Sequence, residues 1–417
     1  MPRERILVLW QIRAFFSMAV LYLFYYFGKK NLGPATRAIE ETFSLSHSQF
    51  GWVMTAFTLT YALGQFINGF LGDRYNPKTI MLVGAIGGVI ANVLFGFSGS
   101  LLLFIVIWAS NGYFSSMGWA PGCRILCNWF PERQWGWWMG LYNFFPYFGG
   151  ALVAPVAAWS VQRYGWRGAF LVSPAFLLGM AGLFALLGRG SPESVGLQIP
   201  WRSRRENRHS ERIGLKEYRR AFAHRRMAAP YLVAFGANGI RWGLLNWNIM
   251  ILQTPVAEGG FGLPLVKAGF VASLVDWGGM FFAVTLGVLS DRLFGGRRWH
   301  TILLGMVGTA GALLVLAQGA SLLEAPMGVF WLCVVTFVAG GLIQGIHTPL
   351  FCLPGDILGQ RLSGTGTGIM DGWMYVGAAL AGFPLGWWFD AHGLTAGIAL
   401  LGVLSLLFGL LAIGIRR

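Results

Sequence analysis

Charge is scarce in this 417-residue chain: 11% of its residues are Asp, Glu, Lys or Arg, 55% are hydrophobic, and the mean hydropathy is +0.59. That composition excludes a soluble enzyme of this size, whose surface needs far more polar cover. Only four cysteines occur, Cys123, Cys127, Cys333 and Cys352, all inside apolar runs. The first two are one helical turn apart with no His or acid beside them, so neither a disulfide framework nor a metal site is implied. No G-x-x-x-x-G-K-[ST] loop, nucleophile elbow or HExxH helix is present, which removes primary active transport and the common hydrolases. No enzyme activity and no cofactor are expected.

Apolar runs of about twenty residues fill nearly the whole length, each able to cross roughly 30 Å of hydrocarbon. Bounded by charge or turn residues they number twelve: 12–36, 49–71, 79–98, 101–128, 136–160, 167–188, 228–254, 266–288, 300–318, 328–351, 363–388 and 394–414. The expected fold is an all-α polytopic membrane protein. The first run is too long for a signal peptide and lacks a small-residue cleavage site. Ser46 to Gln49 reads as a capping box opening the second span.

Acids are rarer still, 16 against 31 Lys and Arg, a net +15. Eleven of the basic residues, from Arg189 to Arg226 and including Arg202, Arg204, Arg205, Arg208 and Arg212, crowd one loop beside four Glu. Others sit at Arg3, Arg5, Arg297, Arg298, Arg416 and Arg417. Loops and termini of this kind follow the positive-inside rule, so both ends and the central loop are expected in the cytoplasm, near anionic lipid and not on nucleic acid.

The loop divides the chain into residues 1–188, a basic linker 189–227, and residues 228–417, with six spans on either side. An internal repeat supports the division. Gly69-Phe-Leu-Gly-Asp73-Arg74 after the second span is echoed by Gly287-Val-Leu-Ser-Asp291-Arg292 after the eighth, and Gly140 to Leu152 matches Gly368 to Leu380 at Tyr147/Tyr375 and four other positions. Two copies of a six-helix unit form the arrangement in which a substrate site lies between repeats near mid-membrane and access alternates by rocking. The repeated turns, Asp73, Arg74 and Lys78 in one copy and Asp291 and Arg292 in the other, read as gates: a carboxylate at a helix end meets a neighbouring helix or Arg in one conformation only.

Ionisable groups inside the apolar runs carry the functional reading, since each is costly unless it faces a partner or a polar cavity. They are Lys29 and Lys30 in the first span, Arg124 near the inner end of the fourth, Arg241 in the seventh, Asp276 in the eighth, His347 in the tenth and Asp371 in the eleventh. Counted along their helices, Lys29 and Arg241 stand at similar depth, roughly 20 to 24 Å up. If the halves face one another, the two cations converge on the cleft and an anion suits them, phosphate especially. The alternatives are that each cation pairs with Asp276 or Asp371, or that Lys29 snorkels outward. Tyr22, Tyr25, Tyr26, Tyr61, Trp119, Tyr142, Asn143, Asn246 and Tyr375 could line the same cavity, or simply pack. His347 could carry a proton or touch substrate, or be a core histidine with its hydrogen bond met. Arg124 reads as a structural anchor.

Four segments resemble the organophosphate:phosphate antiporters of the major facilitator superfamily. Tyr25-Tyr26-Phe27-Gly28-Lys29-Lys30-Asn31-Leu32 is similar to that family's Tyr-Tyr-x-x-Arg-Lys-x-Phe, and Asp73-Arg74-Tyr75-Asn76-Pro77-Lys78 to its Asp-Arg-x-Asn-Pro-Arg. Met117 to Arg124 resembles Met-Gly-Trp-Pro-Pro-x-x-Arg, and Arg241 to Trp247 resembles Arg-Tyr-Gly-x-x-Asp-Trp. The resemblance implies two six-helix bundles, and Arg241 and Lys29 gripping a phosphoryl group with Tyr22, Tyr26, Tyr61, Trp119 and Asn143 nearby. The sequence departs from it in having Gln65 where the glycerol-3-phosphate branch has Lys, Pro146 for its His, and Asn246 for its Asp.

The reading is a secondary transporter, a monomer in a bacterial inner membrane, exchanging a small organophosphate or related anion for inorganic phosphate. Two alternatives stand beside it: a proton-coupled organic-anion symporter using Asp276, Asp371 or His347, and a transporter-shaped ligand sensor.

Overall fold

The computed structural model describes residues 3–131, 134–197, 215–319, 321, 327–358 and 360–416, and among them every regular element is helical. The linker arginines Arg202, Arg204, Arg205, Arg208 and Arg212 lie outside the described residues, as do the side chains of Arg3, Asp73, Arg74 and Arg416 and the whole of Arg417.

The first half contains α1 (Arg3–Tyr25), α2 (Leu32–Phe43), α3 (His47–Arg74), α4 (Pro77–Phe97), α5 (Leu101–Ser115), α6 (Trp119–Trp129), α7 (Trp135–Tyr164) and α8 (Gly168–Leu187). A short amphipathic α9 (Leu215–Phe222) precedes the second half. That half contains α10 (Ala228–Gln253), α11 (Leu265–Val288), α12 (Arg298–Leu316), α13 (Gly328–Gly345), α14 (His347–Leu358), α15 (Gln360–Ala379), α16 (Phe383–His392) and α17 (Leu394–Leu411). Joined end to end where a span is interrupted, these helices make twelve rods. Among the described residues, nine of them are long and apolar enough to cross a membrane by length and composition. The other three, α3, α10 and α15 with α16, fall short of that measure.

Large apolar side chains such as Phe97, Leu102, Leu186 and Val284 stay exposed around the rim, where hydrocarbon replaces water as the covering phase. Inside, large aromatics such as Trp108, Trp129, Trp247 and Phe170 are fully buried, with alanines and glycines between them where helices come close.

Several expected spans are interrupted. The first breaks at a 3₁₀ turn over Tyr26–Gly28 and resumes as α2 to Phe43, farther than the expected boundary at 36. The fourth and tenth, equivalent in the repeat, break at Ser116 to Gly118 and at Ile346, and the eleventh breaks before Gly382. Interrupted backbone at membrane depth is tolerated where protein surrounds it. The capping box at the start of α3 is present: Gln49 N–H donates to Ser46 Oγ at 3.2 Å and Ser46 N–H donates to Gln49 Oε1 at 3.0 Å.

The halves meet through α7 against α11, α3 against α15 and α16, and α2 against α10. At the end away from the basic segment the contact is tight. Asp390 accepts the backbone N–H groups of His47 and Ser48 at 2.9 and 2.8 Å, so an acid of one half caps a helix of the other. Arg37 donates across to the Gln253 carbonyl at 2.7 Å, and Thr55 donates to the Ala379 carbonyl at 2.9 Å while accepting Phe383 N–H. Gly51 and Gly382 permit the approach: a Cβ on Gly51 would lie 2.8 Å from the Gly382 backbone. This end is sealed.

Candidate functional site

Lys29 sits at the break in the first rod, with backbone φ −124° and ψ −26°, and is 7% exposed. Its ammonium does not snorkel to an interface. It stands 3.9 Å from the Tyr26 ring centroid, 5.2 Å from that of Tyr61 and 5.6 Å from that of Tyr22, in a cage of aromatic faces. Arg241 lies on the unbroken α10, its guanidinium carbon 6.0 Å from the Tyr147 ring of the other half. Its Nε donates to Gln344 Oε1 and its Nη1 to Asn238 Oδ1, both at a long 3.4 Å.

Lys29 lines a cavity together with Trp242, the residue next to Arg241 on α10. Among the described residues no carboxylate lies within ion-pair distance of either one. The pairing alternative applies to their neighbour instead. Lys30 donates to both oxygens of Asp276 at 2.9 and 2.7 Å, a buried bridge between the halves that the sequence reading did not foresee. Gly150 leaves room for it, since a Cβ there would meet Asp276 Oδ2 and Lys30 Nζ at 2.5 and 2.6 Å. Asp276 was expected as a proton carrier or a partner of Lys29 or Arg241; in this conformation Lys30 occupies it.

The other expected residues divide by distance from this centre. Tyr22, Tyr26 and Tyr61 gather around Lys29, and Tyr375 of the other half packs on Tyr61 with ring centroids 4.6 Å apart at a 32° tilt; Gln65 lies one turn beyond Tyr61 on α3. Trp119 stacks on Tyr142 at 5.1 Å and touches Tyr22 at 5.8 Å, while the Tyr25 hydroxyl is spent on the Met81 carbonyl. Asn246 helps line a cavity of about 30 Å³ with Lys29, Lys30, Thr58 and Trp242, room for about two waters. Asn143 is exposed, one turn before Tyr147 on the same helix face. Asp371 is half-buried on α15, one turn before Tyr375. His347 Nδ1 lies 3.0 Å from the Ile343 carbonyl, with Nε2 buried and unpartnered.

The gate residues are placed differently from one another. Lys78 donates to the Ala185 carbonyl at 2.6 Å inside the first half, and Asp291 pairs with Arg298, which also reaches Asp356 at 3.2 Å, inside the second. Arg292 is exposed. The Asp73 and Arg74 side chains are outside the described residues.

Three participants were missed: Tyr147, Gln344 and Asn238. Tyr147 carried a usable signal, being the repeat counterpart of Tyr375, and Gln344 is the lone amide in an apolar run. Chemically, the centre offers one fork-shaped and one point-like cation on opposite halves, walled by hydroxyls, with the nearby acid already engaged.

Residues 18–370 match the Major Facilitator Superfamily. The chain is 27% identical over 402 residues to a probable hexose phosphate transport protein of Chlamydia pneumoniae, covering 92% of this chain and 86% of that one. It is 28% identical over 390 residues to the membrane sensor protein UhpC of Escherichia coli, covering 90% and 85%. In fold it is similar to a bacterial homologue of the human lysosomal transporter Spinster, with a TM-score of 0.76 at 15% identity over 98% of this chain and 97% of that one.

Proposed function

The chain belongs to the Major Facilitator Superfamily, and from that premise we propose that it exchanges a small organophosphate or related organic anion for inorganic phosphate by alternating access. Its kinship is with membrane transport proteins rather than enzymes, and the likeness to organophosphate:phosphate antiporters read from four segments agrees with its hexose-phosphate relatives. In this reading the phosphoryl group is held between Lys29 and Arg241, and residues 1–188 and 228–417 rock about it, joined by the linker 189–227. The membrane is the bacterial inner membrane, with both termini and the linker on the cytoplasmic side.

The observation that carries the proposal is the pair of cations on opposite halves with no carboxylate in ion-pair range among the described residues. Uncompensated charge at mid-membrane costs several kcal/mol, and a bound anion removes that cost for both groups at once. The empty site therefore resists passing between its two orientations, and rocking requires an anion, which enforces exchange. Purified protein in phosphate-loaded vesicles is expected to take up labelled phosphate, and Arg241→Ala to abolish uptake. Unchanged uptake by that variant would discard the site.

The likeness to a membrane sensor supports a second reading, a ligand-binding sensor on the same scaffold. It keeps the anion site and drops the flux: phosphate-dependent stabilisation without exchange in vesicles would select it.

A further inference from the structure

We infer that Asn92 and Asn111 are positioning residues that aim Lys29 into the cleft by holding the carbonyl of Gly28. The inference rests on Lys29 gripping the anion. It begins from an asymmetry between the halves: α10 runs unbroken past Arg241, whereas the first rod is interrupted at Tyr26–Gly28, immediately before Lys29. A continuous helix would satisfy the Gly28 carbonyl from the N–H four residues on. Here two side-chain amides take that role, Asn92 Nδ2 at 2.7 Å and Asn111 Nδ2 at 2.8 Å.

The clamp is itself held. Asn92 Nδ2 also donates to the Gly88 carbonyl at 2.8 Å, and its Oδ1 accepts Asn31 Nδ2 at 2.8 Å. Asn31 in turn donates to the Ala169 carbonyl at 2.8 Å. All three asparagines are fully buried. The chain on both sides of Lys29 is thereby tied to α4, α5 and α8. Gly28 admits the amides closely, since a Cβ there would sit 3.1 Å from Leu177 Cδ2 and 3.5 Å from Asn92 Nδ2.

A backbone carbonyl without a partner in hydrocarbon is costly, so such a break is stable only where something stands in for the lost helical bond. Removing one amide lets the turn re-pair and carries Lys29 with it. Arg241 does not need this device, because Asn238 and Gln344 contact its guanidinium directly.

Asn68 supplies the control. It is a fully buried asparagine of the same half, donating to Ser116 Oγ at 2.6 Å and, among the described residues, making no hydrogen bond to the first rod. Inorganic phosphate affinity, read from ligand-dependent melting of the full chain in detergent, is to be compared for Asn111→Ala, Asn92→Ala and Asn68→Ala, each also in a Lys29→Ala background. Melting without phosphate reports folding. Asn111→Ala and Asn92→Ala are expected to bind about tenfold more weakly. Asn68→Ala is expected to match the parent, and the asparagine penalty to vanish once Lys29 is gone. Equal affinities for Asn111→Ala and Asn68→Ala, or a penalty undiminished in the Lys29→Ala background, would overturn the positioning role while leaving the anion site intact. Parental affinity in Lys29→Ala alone would overturn both.

Discussion

Replacing Asp276 with Leu removes the acid from the one buried ion pair among the described residues that spans the halves near the cleft. Lys30 and Asp276 are bonded through both carboxylate oxygens, at 2.9 and 2.7 Å, with side chains only 12% and 4% exposed. Breaking such a pair from one side leaves an uncompensated buried charge and costs about 3–5 kcal/mol, whereas exchanging both partners for apolar residues of similar volume is often close to neutral. Asp276→Leu is worse placed than most, because the freed Lys30 joins Lys29 and Arg241 as a third cation. The expected pattern in detergent melting is a large loss for Asp276→Leu, a comparable loss for Lys30→Met, and recovery of most of it in Lys30→Met/Asp276→Leu. Phosphate should also rescue Asp276→Leu more than it rescues the parent, since an anion relieves three charges there instead of two. Single variants that melt with the parent, or a double variant as unstable as the two losses summed, would refute the pairing.

Tyr26→Leu removes the ring nearest Lys29 and is expected to lower the stability of the empty protein by about 2 kcal/mol, Tyr26→Phe by much less; melting with and without saturating phosphate should show the difference narrowing when the anion is bound. Asp390→Ala uncaps α3 from the opposite half, and loss of a helix cap of this kind is worth about 1 kcal/mol. With the four native cysteines replaced, a cysteine at Met54 should then react faster with an impermeant thiol reagent, and unchanged labelling would show that this contact does not hold the end shut. Gly382→Val should open the same end more fully, because a Cβ there would lie 2.2 Å from Thr55 Oγ1.

The hydropathy pattern announced the rods because a bilayer demands it of each one separately, and the capping box at Ser46 was legible because its partners are three residues apart. The buried cations were legible for the same reason: an ammonium at residue 29 and a guanidinium at residue 241 are anomalies in their own windows. What each one touches was not. Lys30 and Asp276 lie 246 positions apart, and sequence spacing could not distinguish Lys29 from Lys30 as the partner of the acid. The break before Lys29 was equally hidden: Gly28 and Pro34 flank it, but the amides that hold it come from asparagines on α4 and α5. The inferred gate motifs drew attention to the basic end, yet the tight seal between halves is at the other, where the side chains of Asp390, Arg37 and Thr55 reach main-chain groups of the opposite half, pairings hundreds of positions apart that no local motif marks. Tyr147 shows what the repeat still offered: its match to Tyr375 was in hand, and only its contact with Arg241 gives that match a role.

The most direct measurement is a crystal structure of the protein soaked in arsenate, a phosphate analogue whose anomalous scattering fixes its position without interpretation. The anion is expected between the Lys29 ammonium and the Arg241 guanidinium, with the Lys30–Asp276 bridge beside it. Arsenic signal elsewhere in the membrane-embedded region, or Lys29 and Arg241 each bonded to a carboxylate with no anion between them, would contradict the site.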